Sequence, residues 1–294
     1  MSSTSTPETV VFNEMQIFCM QKFEVDILEK EIPEYIKNGI ELYENDTVFD
    51  VGANIGLFTL WVYQQCNKNV KVFAFEPAPA TFEVLQRNAQ RFDPKKLKVF
   101  PCGLSRESKT VKFAYHPRFT AMSHAYPNNV KELQNEVKET FISSGLKIGP
   151  WFLRWISWLP RVIQSFIVDK LLEKSFQMEQ ITCQMRTVSD IIKDHDIQQI
   201  DLLKLDVEKS ELDVLLGIED SDWGKIKQVV AEVHDFDGRV EKIVALLKTQ
   251  GLSEIVVEQQ LLFKGTKLFL VYARRQNSQQ KSFGVIPDGV TQMC

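Results

Sequence analysis

The sequence predicts an α/β fold with a doubly wound, mostly parallel sheet, and three observations carry that prediction. Residues 47–56, Thr-Val-Phe-Asp-Val-Gly-Ala-Asn-Ile-Gly, run an apolar strand into a glycine turn that opens a helix at Leu57. A second apolar strand, 70–75, ends in Glu76-Pro77. Strands and helices then alternate along the chain, interrupted once, from about 118 to 182, by a long amphipathic and aromatic stretch.

Residues 1–8 are polar and read as a disordered tail, with the folded domain expected over 9–274. Residues 9–29 suggest short strand-like pieces. A helix is expected over 31–41, where Ile32, Tyr35, Ile36, Ile40 and Leu42 roughly follow helical spacing. Such a leading element could cover a ligand's mouth. Strand 47–51, helix 57–66, strand 70–75, helix 79–92 and strand 97–101 follow. After Cys102-Gly103-Leu104-Ser105 and a turn at Glu107-Ser108, Thr110 to Tyr115 reads as a further strand.

Inside the interruption, Val130, Leu133, Val137, Phe141 and Ile142 share one face of a charged helix. Trp151, Phe152, Trp155, Ile156, Leu159, Val162, Ile163, Phe166 and Ile167 keep i, i+3, i+4 spacing. Arg154, Pro160 and Arg161 exclude a simple membrane span. The stretch is read as a helical insertion packed on the fold, forming a lid or wall over an apolar substrate. A surface for a partner protein or a bilayer interface is the competing reading. Alternation resumes at 186 with helix 187–195, strand 200–207, helix 209–217, strand 226–233 and helix 238–250. Late strands follow at 252–260 and 267–274, and 275–294 read as a mobile tail.

A 44% apolar share suffices for a large core, and the net charge of −4 leaves no electrostatic footprint for nucleic acid. Cys19, Cys66, Cys102, Cys183 and Cys294 are odd in number and lack Cys-x-x-Cys spacing. That excludes a disulfide framework and a zinc site and suits a reducing compartment. The chain starts without a basic and apolar leader, and no run reaches the ~18 apolar residues of a membrane span. A cytoplasmic protein is expected.

Strand, glycine turn, helix and acid-tipped second strand form half of a mononucleotide-binding unit. Glycine lets backbone approach a ligand closely, and Glu76 is placed to accept hydrogen bonds from a ribose diol. The spacing is Asp-x-Gly-x-x-x-Gly, not Gly-x-Gly-x-x-Gly, and puts Asp50 where a pyrophosphate would be repelled. An acid there suits a ligand with a positive charge or free amino group. S-adenosylmethionine has both, and is the expected cofactor ahead of a nicotinamide.

Two strand ends carry the remaining chemistry. Lys204, Asp206 and Glu208 alternate at the end of strand 200–207 and are expected on one face. Ligands of open α/β sheets bind outside the carboxyl ends of strands, which places Asp206 and Glu208 at the cofactor's reacting end or the acceptor. Glu232 and His234 alternate at the end of the next strand. Histidine titrates near neutrality and can take a hydroxyl proton, with a carboxylate to fix its tautomer. A divalent ion on His234, Asp206, Glu208 and Glu232 is an alternative that no paired-His or paired-Cys signature supports. His116, His124 and His195 are read as structural.

These motifs resemble the FkbM-type S-adenosylmethionine-dependent methyltransferases. Asp50-Val-Gly-Ala-Asn-Ile-Gly with Phe75-Glu76-Pro77 carries the likeness, as do Asp201 to Glu208 with Ser210-Glu211-Leu212 and the Glu232-Val-His234 end. Trp223 and the aromatic insertion make it most similar to the O-methyltransferases of polyketide and hybrid polyketide/nonribosomal-peptide pathways. The resemblance implies a class I methyltransferase fold with a reversed C-terminal hairpin and methylation of a hydroxyl oxygen. The implied acceptor is the β-hydroxyl of an acyl chain tethered to an acyl carrier protein or megasynthase. Lys209-Ser210 stands where many relatives have Gly-Ala, which sets a small-sugar acceptor in doubt. On this reading Asp50, Gly52, Asn54 and Gly56 hold the methionine portion and Glu76 the ribose, while Gly103, Leu104 and Ser105 line the adenine. His234 is the general base, oriented by Glu208 or Glu232. Methylation of a free sugar or small metabolite, and a docking module that binds the cofactor without chemistry, are the alternatives.

Overall fold

A hairpin of β1 (Glu8–Phe12) and β2 (Met15–Cys19) leads into helix α1 (Lys22–Glu31) and a 3₁₀ turn, Ile32–Tyr35. Then come β3 (Thr47–Val51), α2 (Leu57–Gln65), β4 (Lys71–Phe75), α3 (Pro79–Ala89), β5 (Leu97–Phe100), β6 (Gly103–Leu104) and β7 (Lys109–Tyr115). Helix α4 (Arg161–Leu172), β8 (Glu179–Arg186), α5 (Val188–Asp194), β9 (Leu202–Leu205), α6 (Glu211–Leu216) and α7 (Asp220–Trp223) follow. The chain continues through β10 (Gln228–His234), α8 (Arg239–Thr249), β11 (Glu254–Glu258) and β12 (Leu268–Arg274). This computed structural model describes residues 8–117, 120, 123, 156, 158–172, 178–259 and 267–276.

Seven strands form the main sheet in the order β11-β12-β10-β9-β3-β4-β5. β3, β4, β5, β9 and β10 run parallel, and β12 is antiparallel to β10 and β11. Strand order reverses between β3 and β9, so the carboxyl ends of those two strands flank the crevice where such sheets bind ligands. The period-2 rule divides the core in two. Phe49, Val51, Phe73, Phe75, Leu203 and Leu205 pack on one face, while Val48, Val72, Leu202, Val230 and Tyr272 pack on the other. Both faces being covered explains why the central strands read as continuous apolar runs. Helix α2 is buried nearly all round; α8 buries only Ile243 and Leu247, one turn apart, as a surface helix does.

Two expectations need correcting. The leading helix spans 22–31, not 31–41: Pro33 lacks an N–H and its ring clashes with the carbonyl four residues back, so the chain tightens into the 3₁₀ turn. Strand β7 does not extend the main sheet. It pairs antiparallel with β8, and β6 pairs parallel with β8, in a separate three-stranded sheet. The insertion therefore ends before Glu179 rather than at 182. Ile181, Cys183 and Met185 alternating with Thr182, Gln184 and Arg186 is a strand signal that the sequence reading passed over. The tryptophans at 151 and 155 lie outside the described residues; of the aromatic stretch, Trp158, Val162 and Phe166 are exposed.

Candidate active site

The turn after β3 is a backbone cradle. Gly52, Asn54 and Gly56 all have left-handed φ, at +80°, +50° and +93°. Gly52 and Ala53 donate their N–H groups to Phe75 O, and Asp206 donates its N–H to Val51 O, which draws the tips of β3, β4 and β9 together. A Cβ on Gly52 would stand 1.7 Å from the Asp206 carbonyl oxygen, so only glycine allows this approach. Glu76 is buried at the tip of β4. Its Oε2 accepts from Asn54 N at 3.1 Å and its Oε1 from Ala78 N at 2.9 Å. Burial pushes its carboxyl up to about 7 against the pull of those two donors.

Asp50, expected at the methionine portion of the ligand, is engaged by protein groups. It is fully buried; Thr59 Oγ1 donates to its Oδ2 at 2.6 Å, and Lys204 Nζ lies 3.1 Å from its Oδ1. Its charge offsets an internal lysine. Lys204 also contacts Gly52 O at 3.2 Å and Asp206 Oδ2 at 3.3 Å, with its ammonium over the rings of Tyr35 and Phe58. Burial would strip its proton, but the charges of Asp50 and Asp206 more than offset that and raise its pKa.

The residues expected to line the adenine, Gly103, Leu104 and Ser105, lie at and after β6. Leu104 is enclosed in the core with Phe73, Phe75 and Val188, because β6 leaves the main sheet to pair with β8. Ser105 is buried and donates its N–H to Arg186 O. Gly103 keeps its place past the tip of β5, packed against Pro77 and Met185 so tightly that a Cβ would meet the methionine at 2.7 Å.

At the other tips the structure gathers charge. β9 ends at Leu205, so alternation does not extend to Glu208. Instead Glu208 and Lys209 are successive non-glycine residues at left-handed φ, +44° and +76°. Lys209 N donates to Glu211 Oε1 at 2.7 Å and Arg239 donates to Lys209 O, which hold this strained turn. The turn sets Glu208 Oε2 3.3 Å from His234 Nε2. The far side of the imidazole faces fully buried Glu211, with Nδ1 3.9 Å from Oε1. Burial alone would lower His234, but the carboxylates of Glu208 and Glu211 push it up to about 9. Burial raises Glu208 to about 7, opposed by the imidazolium.

Glu232 does not reach His234 as a partner. It lies beside Tyr35, whose hydroxyl donates to Asp206 Oδ2 at 3.0 Å and approaches Glu232 Oε2 at 3.5 Å. Burial, then the charges of Asp206 and Glu31, hold Glu232 well above the usual carboxylate range. Glu31 is raised to about 8 by burial and by Asp206 and Glu208. The sequence places Tyr35 only on a helix face and gives Glu31 no role; their i, i+4 spacing and the expectation that this segment covers the mouth are the available signals. The same segment supplies Glu24, which accepts from Thr120 Oγ1 at 2.7 Å, while Thr120 is bonded to Asn54. Among the described residues no three His, Cys, Asp or Glu side chains are grouped to hold a metal ion.

This arrangement fits an adenosine ligand with a cationic end. Glu76 faces the cradle with one N–H on each oxygen, leaving lone pairs for a diol. Asp206 stands beside it with Tyr35 and Lys204 on one oxygen, where a pyrophosphate would meet an acid. The sequence model of the methyltransferase FkbM domain matches residues 50–254. The chain belongs to the FkbM-type methyltransferases. Its fold is the class I methyltransferase fold and its methyl donor is S-adenosylmethionine.

The chain is 40% identical over 242 residues to the 31-O-demethyl-FK506 methyltransferase FkbM of Streptomyces tacrolimicus, covering 82% of this chain and 85% of that protein. It is 31% identical over 246 residues to the AMB antimetabolite synthetase AmbE of Pseudomonas aeruginosa, covering 82% of this chain but only 11% of the synthetase. Among solved structures, M. jannaschii TYW2 in complex with AdoMet aligns with a TM-score of 0.42 and 11% identity, over 94% of this chain and 90% of that one. Among the described residues no helix is long and apolar enough to cross a membrane.

Proposed function

We propose that this methyltransferase transfers a methyl group to a hydroxyl oxygen, with Glu208 and His234 together removing the hydroxyl proton. The observation that carries the reading is their 3.3 Å contact at the carboxyl ends of β9 and β10, beside the cradle. S-adenosylmethionine, when bound, supplies a methyl group on a positively charged sulfur. The chain's own task is to hold an oxygen in line and take its proton. With His234 pushed up to about 9 and Glu208 to about 7, the imidazole carries the pair's proton at neutral pH and Glu208 is the accepting group. This reverses the order expected from the sequence, where His234 accepts and a carboxylate orients. The buried His234 then serves as the counter-charge that keeps Glu208 ionised.

For the acceptor, the reading is a hydroxyl of a polyketide-type molecule, the β-hydroxyl of a carrier-tethered acyl chain. A relative that is a synthetase, matched over 11% of its length, supports a tethered acceptor; a relative named for 31-O-demethyl-FK506 supports a free one. The exposed Trp158, Val162 and Phe166 supply apolar surface suited to either. The partner would be the carrier protein or its megasynthase. Incubation with S-adenosylmethionine and either hydroxyacyl carrier protein or free hydroxylated polyketides, read by intact mass, decides between them. A methyl gain on the carrier-bound chain is expected. A gain only on the free molecules overturns the tethered acceptor, a gain on nitrogen or carbon overturns O-methylation, and cofactor binding without transfer favours a docking module.

A further inference from the structure

We propose that Tyr35 is a positioning residue of the methyl-transfer site, its hydroxyl bridging Asp206 and Glu232 and turning one oxygen of Asp206 toward the cofactor. Tyr35 precedes the matched methyltransferase domain, which begins at residue 50. Its side chain is nonetheless buried, at 3% exposure. The ring packs edge-on against Phe58, with centroids 5.6 Å apart, and lies under the Lys204 ammonium at 5.1 Å. The backbone is fixed from the far side, where Tyr272 Oη on β12 donates to Glu34 O at 2.7 Å. The hydroxyl thus enters the gap between two adjacent strand tips.

The polar contacts there are one-sided. Tyr35 Oη at 3.0 Å and Lys204 Nζ at 3.3 Å both serve Oδ2 of Asp206. Among the described residues neither donor serves Oδ1, and the side chain keeps 25% of its surface exposed. Two donors on one oxygen fix the carboxylate's rotation and leave the other oxygen for a ligand. The same hydroxyl stands 3.5 Å from Glu232 Oε2, so Tyr35 touches both acidic side chains across the gap. Burial and the charges of Asp206 and Glu232 hold the phenol well above its usual range, so it remains a donor.

The inference rests on Asp206 facing the methyl donor and is independent of the acceptor. Its test is calorimetric titration of S-adenosylmethionine and its demethylated product without any acceptor, so a wrong acceptor assignment leaves it untouched. Tyr35→Phe keeps the ring and removes the donor; it is expected to melt near the wild type and bind both ligands about 10-fold more weakly. In Tyr35→Phe/Glu232→Gln the amide offers a donor in the same gap, and most of the lost affinity is expected to return. Wild-type affinity in Tyr35→Phe, or a double variant no better than the single, overturns the proposal. If Tyr35→Phe does not fold, fluorotyrosine at position 35 keeps the ring and strengthens the donor. It is expected to tighten binding, and unchanged affinity overturns the proposal.

Discussion

At the tips of β3 and β4 the pocket is mostly backbone, whereas at the tips of β9 and β10 it is mostly charged side chains. The first half holds Glu76 with the N–H groups of Asn54 and Ala78 and relies on left-handed turns that bring main chain close to the ligand. The second half sets Asp206, Glu208, Glu232 and Glu31 near Lys204, His234 and Tyr35, where each charge shifts the next. The backbone donors of the first half do not titrate, so its one titrating group is Glu76, raised to about 7 by burial. The second half changes its charge near neutrality, which a site that must move a proton needs. The two halves touch where Gly52 meets the Asp206 carbonyl.

Breaking the second half should cost turnover and little affinity. Glu208→Gln is expected to lower kcat by about 10²–10⁴-fold while the Kd for S-adenosylmethionine, measured by calorimetry, stays within a small factor. The pH profile sharpens this. Glu208 must be ionised, so kcat rises as pH increases through about 7. His234 must stay protonated to hold that charge, so kcat falls as pH increases through about 9. Glu208→Gln removes the acidic limb. An acidic limb that persists in this variant assigns the accepting group elsewhere.

Breaking the first half should do the opposite. Glu76→Ala removes a charged acceptor for the ribose diol and should weaken cofactor binding by about 10- to 100-fold. At saturating cofactor its kcat is expected to stay near the wild type. Loss of kcat without loss of affinity would move Glu76 out of the ribose site.

The two halves also differ in how far the sequence reveals them. Asp50 to Gly56 and Glu76 form a local pattern, since a strand, a turn and a second strand fix the geometry within about thirty residues. Even there the Asp50–Lys204 ion pair is not legible, because Lys204 lies 154 residues away, across the β3–β9 pairing. The second half is assembled from strands that only sheet order brings together. Asp206, Glu208, Glu232 and His234 could be picked out as acids and a histidine at strand ends, but not which of Glu208 and Glu232 meets His234. Period-2 reasoning put Glu208 on the strand; the strained turn at 208–209 carries it to His234 by another route. The enclosure of Leu104 in the core is illegible for a related reason, since the β6–β8 pairing spans the insertion. Tyr35 and Glu31 belong to a segment with no motif, and their role depends on where that segment docks.

Glu31 offers the smallest effect and a direct reading of the acidic half's cost. Its carboxyl is raised from the ordinary 4.5 to about 8 in the folded chain. Between those values the unfolded chain has released the proton while the folded chain still holds it. Stability contributed by this group is therefore present below about 4.5 and lost as pH rises toward about 8. Glu31→Gln keeps the shape and cannot titrate. It is expected to melt with the wild type at pH near 4.5 and a few degrees above it at pH near 8, in thermal scans without cofactor. An equal shift at both pH values would mean that Glu31 acts through packing alone, and the acidic half would then owe its raised carboxyls to Asp206, Glu208 and Glu232 without it.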